Sequence, residues 1–238
     1  MKALIFAAGR GTRISRYLNG NPKCTVHIGN EPLIHYTVRL LQKHGVTDIA
    51  LVVGYQQQAV RDVLKDVSVT FYDNPFFDVT NSIASAWFAR DFIAGDDILF
   101  MNGDVFMEES LLDELLRQNC TGSVLFSDES RKEEADYKLY YENGRLLKYG
   151  KELTGANVTG EYIGVARIDR GFVPQFSQRL NEMIDSQQHG VWWENVLYSL
   201  SDRQFVEVRD ISGQFWAEVD YIEDYERIAE FVKTHPTV

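Results

Sequence analysis

Short, wholly apolar runs that alternate with helical periodicities through the first half of the chain predict an α/β protein with a doubly wound, mostly parallel, Rossmann-like sheet. Two further observations refine that class. A Gly-x-Gly turn directly follows the first apolar run, and after residue 120 the pattern changes to strand-like pieces with turn signals, which predicts an inserted antiparallel portion forming a lid. With 238 residues and 45% hydrophobic content, one domain spanning 1–238 is enough to bury a sizeable core.

Residues 4–7 read as a buried strand running into the glycines at 9 and 11. Between 32 and 44, Leu33, Ile34, Val38, Leu40 and Leu41 recur at helical spacing and stop at Gly45, a helix terminator. Residues 49–53 predict a second buried strand, 56–66 a helix, and 67–72 a third strand closed by Asn74 and Pro75. A helix follows over 82–92. The next strand, 98–101, is all apolar and ends in Asn102, Gly103 and Asp104, after which 108–118 gives another helix. Strand-like segments then fall at 123–126, 137–141 and 162–168, with Glu142, Asn143 and Gly144 marking a turn. Helical patterns return at 173–186 and 194–200. A strand at 215–219 precedes a closing amphipathic helix through Ile222, Tyr225, Ile228, Ala229 and Val232. There is no internal repeat, low-complexity tract or linker.

The net charge of −11 and a pI near 4.9 argue against a general binder of nucleic acid or membrane surfaces, since both are polyanions. The charge is uneven, however. Residues 1–50 carry seven Lys and Arg against Glu31 and Asp48, so this segment is +5 and the remainder −16, the mark of a local anion site. Cys24 and Cys120 are too few for a disulfide framework and fit a reducing compartment. The start fits a signal peptide poorly, and no apolar stretch approaches the roughly 20 residues needed to span a bilayer, so a cytoplasmic protein without a membrane partner is expected.

The loop Ala7-Ala8-Gly9-Arg10-Gly11-Thr12-Arg13 lets backbone N–H groups approach a phosphate without side-chain obstruction. Dinucleotide-binding spacing fails because Ile14 stands where the third glycine belongs, and no Gly-Lys-Ser or Gly-Lys-Thr follows. A Gly-x-Gly turn alone serves structure as readily as a ligand. The nearby Arg13 and Lys23 tip the reading toward a polyphosphate, because a planar fork and a point charge on one connection suit its oxygens.

Ala8-Gly9-Arg10-Gly11-Thr12-Arg13 followed by Pro22-Lys23 resembles the signature of the nucleotidyltransferases that activate sugar phosphates and phosphoalcohols. Val53-Gly54-Tyr55, Asn81-Ser82 with Ser85, Gly103-Asp104, Gly164-Val165, Trp193-Glu194-Asn195 and Glu218-Val219-Asp220 follow in the order seen in bacterial phosphocholine cytidylyltransferases. The resemblance implies a nucleotide-binding half over 1–120, and an acceptor-binding, metal-completing half over 121–238. It implies Arg13 on the leaving pyrophosphate, Lys23 near the transferred phosphoryl group and the acceptor phosphate, and Asp104 and Asp220 on Mg2+. It also implies CTP as donor, held by Ala8, Gly9, Gly11, Thr12, Tyr55, Asn81, Ser82 and Ser85.

The residues leave several alternatives open. Asp104 past an apolar strand lies where open parallel sheets bind ligands, but Asp also serves as a turn cap. Asp220, with Glu223 three residues on, equally suits a helix N-terminus. Asn81, Ser82 and Ser85 can read a base or simply cap and face a helix. Trp192, Trp193 and Glu194 suit a cationic amine, although adjacent helical residues point apart and at least one tryptophan is expected in the core. Lys151 and Glu161 are further acceptor candidates. Together these features describe in-line transfer of a nucleoside monophosphate to a small phosphorylated or phosphonate acceptor. A sugar-1-phosphate nucleotidyltransferase, a non-catalytic nucleotide-binding module and a dinucleotide-dependent oxidoreductase are the rival readings, and a homodimer is open to the chain.

Overall fold

The computed structural model describes residues 1–11, 13, 14, 18 and 20–235. Thr12, expected at the nucleotide, lies outside the described residues.

Strand β1 (Lys2–Ala7) is buried on both sides: Ala3, Ile5 and Ala7 enter one core, Leu4 and Phe6 the other. A small ribbon of β2 (His27–Ile28) and β3 (Glu31–Pro32) leads into α1 (Leu33–Lys43), whose predicted apolar stripe is wholly buried and which stops before Gly45 at φ +85°. Next come β4 (Ile49–Val53), α2 (Gln57–Val63) and β5 (Thr70–Asp73). The helix expected over 82–92 is two, α3 (Ser82–Phe88) and α4 (Arg90–Ile93). Ala89 caps the first, and its carbonyl accepts from the Phe92 and Ile93 N–H groups, which turns both side chains into the core. Strand β6 (Ile98–Asn102), a short β7 (Val105–Met107) and α5 (Glu109–Arg117) complete the first half.

The second half contains β8 (Ser123–Asp128), β9 (Lys138–Glu142), β10 (Arg145–Gly150), β11 (Gly160–Ile168), α6 (Val173–Asp185), α7 (Asn195–Tyr198), β12 (Val206–Asp210), β13 (Trp216–Glu218) and α8 (Ile222–Thr234). The principal sheet has the order β5-β4-β1-β6-β11-β8-β12-β10-β9. Its first four strands are parallel neighbours. Beyond β6 the pairings are antiparallel except β12 on β8, so the sheet is mixed rather than mostly parallel, and the second half extends it edgewise instead of only covering it.

Helices α1, α5 and α8 share one core with one face of the sheet, and α3, α4, α6 and α7 share the other. No described helix is long and apolar enough to cross a membrane. One feature outside the sheet positions the site. Strands β7 and β13 form a separate antiparallel ribbon with Val105 opposite Glu218, and the Val219 N–H donates to the Asp104 carbonyl at 2.9 Å. Residues 104 and 218–220 thereby meet beside the carboxyl ends of β1 and β6.

Candidate active site

The glycine loop leaves β1 with Gly11 at φ +60°, a conformation costly for other residues. A side chain at Gly11 would also strike the Lys23 stem, since an added Cβ falls 2.3 Å from Lys23 Cγ. Extended Pro22 starts a 3-10 turn (Lys23–Thr25) whose first residue therefore lies across the loop. The Lys23 ammonium donates to Asp104 Oδ2 at 3.2 Å and to Asp220 Oδ1. Arg13 Nη1 donates to Asp220 Oδ2 at 2.5 Å and lies 3.6 Å from Asp136. The two cations and two acids named from the sequence occupy one cluster.

The cluster has a third acid. Asp104, Glu218 and Asp220 each offer a carboxylate oxygen within 4.8 Å of the others. Glu218 and Asp220 are two apart around an extended segment, which puts both on one face; that spacing is the sequence signal for Glu218, which has no role in the resemblance. Burial, followed by the charges of Asp104 and Asp220, holds the Glu218 carboxyl well above the usual carboxylate range. Burial alone would lower the Lys23 ammonium, but Asp104 and then Asp220 overcome this and raise it. Converging hard oxygen donors that already lodge one cation fit a divalent ion such as magnesium. Capping falls elsewhere: the Asp224 carboxylate accepts from the Asp220 and Tyr221 N–H groups, so neither Asp220 nor Glu223 caps α8.

Two connected chambers flank this cluster and share Gly11, Lys23, Asn81, Asn102, Trp192 and Glu218. The first, about 260 Å³, is lined by Ala8, Gly9, Gly11, Asn81, Ser82 and Ser85 among others. Asn81 caps α3 by accepting from the Ser82 N–H at 2.8 Å. Ser82 Oγ accepts from the Trp193 N–H, and Ser85 Oγ from Asn74 Nδ2, which fixes both hydroxyls. Tyr55 does not line either chamber: its N–H donates to the Ala8 carbonyl and its ring packs edge-on against Phe77, so it supports the loop from behind.

The second chamber, about 460 Å³, is lined by Arg10, Arg13, Asp136, Tyr137, Lys151, Tyr162, Trp192, Glu194, Tyr198 and Asp220 among others. Lys151 pairs with Asp136 at 2.6 Å and sits over the Trp192 ring. Two of the expected acceptor residues are not here. Trp193 is 0% exposed, stacked on Phe6 and Phe100, while its neighbour Trp192 is 42% exposed in the chamber wall. Glu161 is buried behind the wall, where it accepts from Arg131 Nε at 2.7 Å and the Asp136 N–H at 2.8 Å; an internal ion pair claimed it. Glu194 is buried but lines the chamber, and burial pushes its carboxyl up to about 8.

A glycine-rich first turn with two cations, opening on a carboxylate cluster at the strand ends, is the equipment of a nucleotide-handling transferase. The chain belongs to the MobA-like NTP transferase domain family, whose family model matches residues 3–189. It is 25% identical over 242 residues to a choline-phosphate cytidylyltransferase of Streptococcus pneumoniae, covering 98% of this chain and 99% of that protein. It is 23% identical to a CTP:phosphoglutamine cytidylyltransferase of Campylobacter jejuni, over 95% of this chain and 98% of that one. The solved CTP:phosphocholine cytidylyltransferase from Streptococcus pneumoniae superposes with a TM-score of 0.80 at 21% identity, covering 97% of this chain and 98% of that one. The inositol-1-phosphate CTP transferase from T. maritima gives 0.78 at 21% identity, covering 97% and 96%. These superpositions establish a shared α/β fold.

Proposed function

We propose that the chain is a cytidylyltransferase that moves CMP from CTP to a small phosphorylated or phosphonate acceptor and releases pyrophosphate. The observation that carries this reading is the meeting of Arg13, Lys23, Asp104, Glu218 and Asp220 at the junction of two chambers. CTP is favoured because the two relatives aligned over nearly their whole length are both named for cytidylyl transfer.

In this reading the first chamber holds the nucleotide, with Asn81, Ser82 and Ser85 toward the base and the backbone of Gly9 and Gly11 toward the phosphates. An acceptor oxygen attacks the α-phosphorus, the bond from that phosphorus to the α,β-bridging oxygen breaks, and the oxygen leaves with pyrophosphate. The acceptor oxygen is already anionic, so no side chain has to remove a proton from it. Arg13 stabilises charge on the leaving group, and Lys23 offsets repulsion between the two phosphoryl groups. Magnesium held by Asp104 and Asp220, with Glu218 beside them, would supply further neutralisation of the phosphate oxygens.

The test is pyrophosphate release from each of the four common NTPs with magnesium and a panel of amino-alcohol phosphates, aminoalkyl phosphonates and sugar 1-phosphates. Release with CTP and an amino-alcohol phosphate or phosphonate is the expected outcome. Release only from another NTP with a sugar 1-phosphate, or from no pair, overturns it.

A further inference from the structure

Three buried polar atoms in the wall of the second chamber are left without well-aligned hydrogen bonds. Glu194 Oε2 and Tyr162 Oη are closed off from solvent and have no hydrogen-bond partner among the described residues, and Tyr198 Oη, equally closed off, has the Tyr137 hydroxyl beside it but no well-aligned bond. All three residues line the same chamber. Buried polar atoms are nearly always paired, so a cluster of orphans at one cavity marks a place where a ligand completes the bonding.

We propose that this end of the chamber takes the head group of the acceptor as a primary ammonium, whose three N–H donors pair with Glu194 Oε2 and the Tyr162 and Tyr198 hydroxyls, and that it thereby excludes N-methylated and uncharged head groups. The inference deepens the CMP-transfer reading and rests on it for what the ligand's other end does. Three acceptors match the three donors of an R–NH3+ group. The surrounding wall suits a cation: the Tyr137 and Trp192 rings meet edge to face at 5.4 Å. Another part of that wall already holds a primary ammonium, since Lys151 Nζ lies 5.7 Å from the Trp192 ring centroid while paired with Asp136.

Glu194 has no cationic partner of its own. The charged groups acting with it are Asp104 and Glu218, both acids, and its other neighbours among the described residues include Asn102 and the hydroxyls of Tyr137, Tyr162 and Tyr198. An ammonium supplies the missing opposite charge. A trimethylammonium group carries the charge but no N–H donor, and would leave all three atoms unpaired. A hydroxyl head group donates once and leaves Glu194 without a counter-charge.

The experiment uses O-phosphoethanolamine, its N-methyl, N,N-dimethyl and N,N,N-trimethyl forms, and ethylene glycol phosphate. Each is titrated into the full chain by calorimetry without nucleotide, then assayed for pyrophosphate release with CTP and magnesium. Affinity and kcat/KM are expected to fall with each methyl, by at least about 100-fold from the primary to the trimethyl form, with ethylene glycol phosphate no better than the latter. Glu194→Gln, which keeps the volume, and Tyr162→Phe should each raise KM for the primary amine with kcat little changed, and narrow that preference. Equal or tighter binding of the trimethyl or glycol compound, or binding of none, overturns the proposal. Selective binding without pyrophosphate release upholds the ammonium pocket and sinks the transfer reading alone.

Discussion

Lys23 occupies the centre of the carboxylate cluster, bridging Asp104 and Asp220 where a divalent ion would otherwise neutralise them. If it stabilises developing charge during transfer, Lys23→Ala should lower kcat by about 100-fold or more in a pyrophosphate-release assay, with circular dichroism unchanged. Glu194 makes a different prediction. Its carboxyl, raised to about 8 by burial first of all, binds a proton more tightly in the folded chain than in the unfolded one. The stability it contributes is therefore full below about 4.5 and lost as pH rises toward 8. Glu194→Gln has no proton to lose, so its melting temperature should match the parent's near pH 5 and exceed it at pH 8, a difference on the order of a few kcal/mol. Equal melting temperatures at both pH values would contradict the burial argument. The same residue shows where sequence reasoning stops. Trp192, Trp193 and Glu194 carry one chemistry on paper, but adjacent residues point to different sides, and only the fold decides that Trp193 stacks on Phe6 while Trp192 meets the chamber. Glu161 was lost for a related reason, because its partner Arg131 lies thirty residues away and no local pattern announces the pair.

At the scale of elements, the site depends on how closely β1 approaches the turn between β6 and β7. The Gly103 N–H donates to the Phe6 carbonyl at 2.9 Å, and a Cβ at 103 would lie 2.8 Å from that oxygen and 3.2 Å from Ala7 Cβ. Backbone cannot yield as a flexible side chain does, so Gly103→Ala should push Asp104 away from Lys23. The expected result is a loss of about 1–3 kcal/mol in denaturant unfolding together with a drop in turnover larger than the stability change explains. The parallel strands and long helices were legible because their apolar runs and 3.6-residue stripes are strong local signals. Strands β7, β10 and β12 were not. They are short, and β10 and β12 carry charged residues, Lys148 exposed and Arg209 half-buried, between their buried ones, so pairing with neighbours far along the chain determines them. The mixed character of the sheet was hidden for the same reason, since strand direction is set by partners and not by composition.

For the whole molecule, the site concentrates charges of both signs inside an already acidic protein of net charge −11. Glu218 is half-buried beside Asp104 and Asp220, and the two cations Lys23 and Arg13 are outnumbered by these three acids even before Asp136 is included. On the proposed reading a divalent ion would bind the folded cluster and find no such convergence of oxygens in the unfolded chain, so it would stabilise the fold by mass action. Magnesium at about 100 times its dissociation constant should add about 2.7 kcal/mol, which for a domain of this size raises the melting temperature by roughly 5–10 °C. Sodium chloride at matched ionic strength controls for general screening and should reproduce little of the shift, because buried pairs are screened far less than surface ones. Asp104→Asn and Asp220→Asn, each removing one charged ligand while keeping shape, should abolish most of the shift. A Glu161→Gln variant, whose acid is buried against Arg131 away from the cluster, should be destabilised yet keep the full magnesium shift. A shift retained in both Asp variants would mean that the ion binds elsewhere, and the cluster would then have no claim on the metal.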